Sequence, residues 1–508
     1  MLTGKRAIAA IVVAGLIAAA PAGANPFTWT GNVQVGNTGS PFGSTAGGAV
    51  CQRAPGQTGT NFPGTQVEPW VAVNPANPRN AIAIWQQDRW SDGGANGLIE
   101  AYTTNGGLSW TQPTLADQPR FSNCTGGSGV TGGYARASDP WVTFSPNGDA
   151  WAMALQADIG FGPNNAMSVA RSVTGGRTWE APILLKRDTS PNVLNDKNSI
   201  TADRFKSDFV YAIWDRLEFP NAQAAAQAGE HAIGFRGPTW FARHTAAGWQ
   251  PARIIFDPGT VNQTIGNQIV QTGTGQLVDG FTLIFNFKNA NQARGFNVAV
   301  LRSADHGATW STATRVAGYT PGTVADPTTG AAVRTGDIIP EIAADPRAGS
   351  DIVYLVWQQR GSTGLSQIMF AKSNDAGVTW STPTAINRQQ ATPAFTPNID
   401  VAPNGTLTVT YYDFRNDASA GPLNTDTWAL HSHDGGATWT ESHVNGPFDM
   451  SKAAKARGFF VGDYEGLDAG ELATGGQSFL DSVRVLSGIT GSPASEAYSN
   501  TARADAGP

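Results

Sequence analysis

Charged side chains are scarce in this 508-residue chain, only 14% of it, against roughly a quarter in ordinary globular domains. So little charge excludes a disordered acidic or basic tail protein. Cysteine is scarcer still: 2 residues cannot build a zinc framework or a disulfide-stapled mini-domain. The formal net charge of -6 leaves no basic face for nucleic acid. No HExxH, Walker loop, G-x-S-x-G elbow or GxGxxG before a helix is present. Helix-favouring Glu, Lys and Leu are few, whereas 60 Gly and 31 Pro supply turns and 40% apolar content supplies a core. That balance predicts an all-β protein. Length alone suggests about three domains, a prior that large closed all-β folds break.

A transmembrane stretch is also missing. Lys5 and Arg6 precede a short apolar run over residues 7–20, and Ala22-Gly23-Ala24 follows with an A-x-A cleavage pattern. The run is shorter than the about 20 residues a span needs. Residues 1–24 are therefore expected to be a secretory signal peptide and the protein to be secreted, with a mature charge of -8 once Lys5 and Arg6 are removed. An oxidising compartment then predicts a disulfide between Cys51 and Cys124. Residues 25–487 are expected to form one domain, and residues 488–508, which lack apolar periodicity, a flexible tail.

One repeat organises the chain. TTNGGLSW at 103–110, SVTGGRTW at 172–179, SADHGATW at 303–310, SNDAGVTW at 373–380 and SHDGGATW at 432–439 match one another, and HTAAGW at 244–249 is a worn copy. Their tryptophans, 110, 179, 249, 310, 380 and 439, are spaced by 69, 70, 61, 70 and 59 residues. Apolar strands precede each copy and another follows, so each unit is four short strands with the motif at its last hairpin. Four-stranded units around a ring make a β-propeller. Seven blades are favoured, with six as the alternative; the N-terminal stretch 27–35 is expected to add an outer strand to the last unit. Asp305, Asp375 and Asp434 read as turn acceptors, and Gly307, Gly377 and Gly436 as the φ > 0 positions of tight hairpins.

S-x-D-x-G-x-T-W resembles the Asp-box, or bacterial neuraminidase repeat, of sialidase-like propellers. The resemblance spans residues 103–439 and implies a secreted propeller acting on glycans, an exo-acting glycoside hydrolase of the sialidase type. A non-catalytic propeller binding a glycan or a protein is the alternative, and the sequence leaves open whether the chain is an enzyme. A sialidase is expected to carry a tyrosine nucleophile with a supporting glutamate, an aspartate acid/base and three arginines. The first of those arginines lies in an F-R-I-P-like motif; the comparable stretch here, residues 65–70, has Glu68 and no arginine.

In a four-stranded meander the Asp-box turns mark one face, and the loops leading into first strands share the other face with the loops after second strands. That second face collects Glu68, Asp139, Asp196, Glu341, Asp463 and Glu465 together with Asp88-Arg89, Asp215-Arg216, Arg360 and Asp413-Phe414-Arg415. The catalytic candidates are Asp88, Asp215, Asp413 and Asp463 as acid or base and Tyr464 as nucleophile. The substrate-binding candidates are Arg89, Arg216, Arg360 and Arg415 as anion clamps, with Glu68 and Glu341. Trp90 and Phe414 are placed to stack on sugar rings. No cofactor is called for, structural calcium is left open, and the expected partner is a glycan or glycoconjugate bound by a monomer.

Overall fold

The computed structural model describes residues 26–42, 57, 59–158, 163–221, 236–285, 295–418, 421–471, 477–487 and 495–504. The strands pair antiparallel in consecutive meanders that begin at Gln66–Val73, Arg136–Phe144, Val193–Ala202, Asn262–Gln271, Glu341–Ala344, Ala394–Val401 and Asp468–Glu471. Each of these first strands touches the next, and Asp468–Glu471 returns to Gln66–Val73. The result is a closed ring of radial sheets around a channel, a β-propeller. Sheets stacked on both faces explain why the second strands read as nearly unbroken apolar runs. All nine residues of Ala81–Arg89 are buried, and Trp85, Trp214 and Trp357 occupy the same place in three such strands with almost no exposure.

The Asp-boxes close hairpins on one face, as their residues require. Asp305 Oδ1 accepts from Ser303 Oγ at 2.9 Å and from Thr309 N at 2.8 Å, while Oδ2 accepts from Thr309 Oγ1 at 2.6 Å. Asp375 and Asp434 repeat this pattern. Asn105 and Thr174 do the same work with one oxygen, accepting from Ser109 N and Thr178 N, both at 3.0 Å. Gly307, Gly377 and Gly436 have φ of 76°, 84° and 90°. A Cβ on Gly307 would also lie 2.6 Å from the Phe241 ring of the preceding sheet, so two constraints demand glycine there. The box tryptophans lock neighbouring sheets together: Trp310 meets Phe241 edge-on at 5.5 Å and Trp439 meets Phe370 edge-on at 5.2 Å.

Both chain ends close the last sheet. Val33–Gln34 pairs with Tyr498 and Ser499, and Ser495–Ala504 pairs with Gln477–Ser487. The expected tail over 488–508 therefore contains a strand: its backbone bonds are satisfied by two neighbours, a gain that apolar periodicity does not register. Residues Phe459–Phe460 leave the ring for a small sheet with Val324–Ala325, Ala332–Val333 and Ala454–Lys455. Val333 pairs there with Phe459 in parallel, which sets Arg334 beside the Gly462–Gly466 turn. Residues 1–24 and Cys51 lie outside the described residues; Cys124 is buried. Among the described residues, no helix is long and apolar enough to cross a membrane.

Candidate functional site

A repeated irregularity in the first strands builds the site. Pairing with the second strand slips between Val67 and Trp70, Ser138 and Trp141, Ile265 and Gln268, and Phe395 and Asn398, and beside Asp196 in the third sheet. At each slip one residue turns left-handed: Glu68 (φ 50°), Asp139 (51°), Lys197 (43°), Gly266 (74°) and Thr396 (47°). A side chain there costs roughly 1–2 kcal/mol. Strain concentrated at one level of the ring, on the face away from the Asp-boxes, marks a constructed position.

Three of those bulges deliver charge to one point. The Lys197 ammonium lies 2.7 Å from Asp463 Oδ2, 3.4 Å from Asp139 Oδ1 and 3.8 Å from Glu68 Oε1. Arg334 forks onto Asp463, donating through Nε at 3.0 Å and through Nη2. Glu68 also accepts from Gln86 Nε2 and from the Asp463 amide at 3.3 Å. All four charged residues at this centre and Arg334 are less than a tenth exposed. Burial, with the Asp139 and Asp463 charges adding to it, pushes the Glu68 carboxyl up to about 7 although Lys197 and Arg89 pull it down. Asp196 likewise rises to about 7 through burial, opposed by Lys197 and reinforced by Asp139. Burial opposes the charge on Lys197, but its carboxylate neighbours overcome it and raise the ammonium above its ordinary value.

A small pocket of about 40 Å³ opens beside the cluster, lined by Glu68, Asp139, Asp196, Lys197, Arg89, Arg136 and Arg334 among others. Asp196 is 5% exposed and its Oδ2 has no hydrogen-bond partner. Asp196 therefore presents to the pocket a buried carboxyl oxygen that no protein donor satisfies, a cost of about 1–3 kcal/mol.

The structure gathers Glu68, Asp463, Tyr464 and Arg89 of the expected site and disperses the rest. Tyr464 is 2% exposed and sits beneath the cluster, its Oη 3.5 Å from Asp139 Oδ1 and its ring against Trp70 and Trp141. Burial and then the Asp139, Glu68 and Asp463 charges hold its phenol well above the ordinary range, the wrong direction for a ready nucleophile. Glu341 lies in the channel wall, where burial raises its carboxyl to about 8 against a hydrogen bond from Gln268.

Asp215 is a brace: its carboxyl accepts from Gly266 N at 3.3 Å and from Asn267 Nδ2, fixing the bulge of the next sheet. Asp88 holds a loop instead, accepting from Ser40 Oγ at 2.6 Å and Gly64 N at 2.8 Å. Asp413 pairs with its own Arg415 at 2.7 Å, and Arg415 continues to Glu441. Arg216 is closed on Asp188 and Glu218, and Arg360 ends its strand exposed to solvent. Trp90 and Phe414 are each 3% exposed, so neither offers a ring to a sugar; Trp90 lies under Arg136 at 4.5 Å and Phe414 packs on Phe395.

Sequence reasoning missed Lys197, Arg136 and Arg334. Lys197 had a signal: it occupies, in the third unit, the bulge position of Glu68 and Asp139. Arg334 had none, because it reaches the site through the small sheet outside the repeat. Among the described residues, no group of three or more His, Cys, Asp or Glu is arranged to hold a metal ion.

Ring closure by four-stranded meanders with Asp-box hairpins defines the chain as a propeller that resembles the sialidase-like ones. In agreement, residues 222–456 match the family model of the BNR repeat-like domain. No curated protein matches the sequence. Similar solved structures include a protein of unknown function from Dyadobacter fermentans, 11% identical, covering 71% of this chain and 93% of that one at a TM-score of 0.42. The Hadza microbial sialidase Hz136 is 14% identical over 84% of this chain and 77% of its own, with a TM-score of 0.43. A Penicillium chrysogenum α-L-arabinanase is 10% identical over 87% and 98%, with a TM-score of 0.42. Likeness at this level carries no argument about activity, and the fold stands on the strand pairing itself.

Proposed function

We propose that the chain acts on glycans as a glycoside hydrolase, using the carboxyls of the Lys197 cluster. One observation carries the reading: Asp139 and Glu68 converge on a single ammonium at 3.4 and 3.8 Å beside an open pocket that Asp196 lines with an unsatisfied oxygen. Asp196, raised by burial to about 7, is suited to donate its proton to the departing glycosidic oxygen. Asp139 or Glu68 then takes up the developing positive charge at the anomeric carbon, by direct attack or by drawing a proton from the attacking water. Water ends on the sugar, the alcohol leaves with the Asp196 proton, and the acid is restored from solvent.

The test is hydrolysis of a fluorogenic glycoside panel by the chain from Asn25. Asp196→Asn is expected to lower turnover by about 10²–10⁴-fold while the thermal unfolding midpoint holds. Unchanged turnover in a folded variant would remove Asp196 from the reaction. A binding role without turnover has one observation in its favour: Lys197 and Arg334 already engage Asp463, Asp139 and Glu68 in ion pairs.

Export is part of the same proposal, supported by the charged and apolar pattern of residues 1–24. Intact mass after secretion is expected to correspond to a chain starting at Asn25 with Cys51 and Cys124 joined. A mass that retains residues 1–24, or thiols that alkylate without reductant, would contradict it.

A further inference from the structure

The pocket beside Lys197, at about 40 Å³, has room for about three waters. Ordinary ligand pockets enclose about 300–1,000 Å³, so whatever enters it is the end of a larger ligand. A cleft of about 730 Å³ lies on the same face between the fifth and sixth units. Residues from 323–328, 389–393 and 414–417 line it, together with Leu365.

Bonds within the protein fix the shape of this cleft. Gln358, fully buried, donates to the Gly322 carbonyl and to Thr335 Oγ1 at 2.9 Å, clamping both ends of the hairpin that joins Val324–Ala325 to Ala332–Val333. Its Oε1 accepts from Thr396 N at 3.1 Å, the bulge of the sixth unit. Across the cleft, Asn416 Nδ2 donates to Asp426 Oδ2 at 3.1 Å, and Asp417 Oδ1 accepts from Asn424 N at 3.0 Å. A cleft formed in advance loses little ordering entropy when it is filled.

The same hairpin reaches the charged cluster. Val324 pairs with Val333, the residue before Arg334, and paired strands lie about 5 Å apart. Arg334 forks onto Asp463. One hairpin therefore borders the cleft and carries a side chain of the cluster.

The lining is amphipathic. The hydroxyls of Thr323 and Thr328, the Gln389 carboxamide and Asn416 Oδ1 face solvent and make no hydrogen bond among the described residues. Such groups exchange hydrogen bonds with hydroxyls in both directions. Pro327 and Pro393 set apolar surface between them. Sugar rings carry the matching pattern, hydroxyls at the rim and C–H groups on the faces.

We propose that the cleft is a glycan subsite holding two or more sugar units of a chain whose end enters the Lys197 pocket. This inference rests on the glycan reading above and names its substrate class, oligosaccharides or polysaccharides in place of simple glycosides.

The full chain is tested by calorimetry with pentose, hexose and sialylated series of one to four units, and with their 4-methylumbelliferyl glycosides for turnover. Affinity within one series is expected to rise by more than about 10-fold from one unit to three. Gln389→Ala combined with Asn416→Ala is expected to lower trisaccharide affinity by about 10-fold while the thermal midpoint holds. Hydrogen exchange of the parent chain gives a second reading, with the trisaccharide slowing exchange over 323–328, 389–393 and 414–417. Equal affinity for one unit and three, or trisaccharide binding that neither protects those segments nor weakens in the double variant, would overturn the cleft and leave the glycan reading standing. Chain-length-dependent binding with protection but no turnover would uphold the cleft and remove hydrolysis. No binding or turnover of any series would overturn the glycan reading, and this inference with it.

Discussion

Lys197 holds three carboxylates in ion pairs and pulls down the Glu68 carboxyl that burial pushes up, so its removal has a predictable sign. Lys197→Met keeps the bulk of the stem and deletes the charge, leaving Glu68, Asp139 and Asp463 with less compensation. Breaking such a buried arrangement costs about 3–5 kcal/mol, and denaturant unfolding is expected to show that loss at pH 8. The loss should shrink at pH 5, where Glu68 takes up a proton instead. An equal loss at both pH values would mean that packing, not charge, is what Lys197 supplies. The parent chain has its own pH signature. Glu68 and Asp196 near 7 and Glu341 near 8 are raised in the fold, so the folded state binds their protons more tightly than the unfolded one. Their contribution is complete below about pH 4 and is lost as pH rises through 7 to 8. Asp305 runs the other way: burial opposes its charge, but hydrogen bonds from Thr309 and Ser303 bring it down to about 2, and that contribution is lost below pH 4. Thermal unfolding is expected to peak on the acid side of neutrality. A flat midpoint from pH 5 to 8.5 would contradict it.

At the level of elements, the Asp-box is a hairpin clasp, and its copies supply their own control. Asp375→Ala removes the acceptor for Ser373 Oγ, Thr379 N and Thr379 Oγ1 and is expected to cost about 1 kcal/mol. Asp375→Asn is expected to cost well under half of that, because Asn105 already closes the first box. Denaturant unfolding separates the two, and equal losses would show that charge rather than geometry matters in the turn. These hairpins were legible because every determinant of the clasp sits within eight residues. The left-handed bulges at Glu68, Asp139 and Lys197 were not. They are held by bonds from other strands, Glu68 N donating to the Val461 carbonyl and Asn198 Nδ2 to the Asp139 carbonyl, and by pairing whose slip no local pattern records.

For the molecule as a whole, ring closure joins segments more than 450 residues apart. Val33–Gln34 supplies the outermost strand of the last sheet, Trp29 Nε1 donates to Ser442 Oγ at 3.0 Å, and Phe27 stacks on His431 at 3.8 Å. A chain beginning at Asn37 forfeits these contacts and leaves Ser495–Ala504 as an open edge. Its thermal midpoint is expected to fall by more than about 3 °C with more aggregation on heating. An unchanged midpoint would show that the ring holds without its N-terminal strand.

The sequence by itself determined the repeat, the four-stranded unit, the Asp-box turns and the face on which carboxylates collect. Each follows from residues close together or from a period along the chain. It also placed Glu68, Asp463, Tyr464 and Arg89 near one another, because one topological position recurs in each unit. The tertiary structure alone decided which charges meet. Asp413 turns to Arg415 and Arg216 to Asp188, whereas Lys197 reaches into a cluster with Glu68, Asp139 and Asp463. Partner choice among buried charges depends on distances of a few ångströms across sheets. That is the scale at which burial and Coulomb attraction nearly balance, and a one-dimensional pattern carries no measure of it.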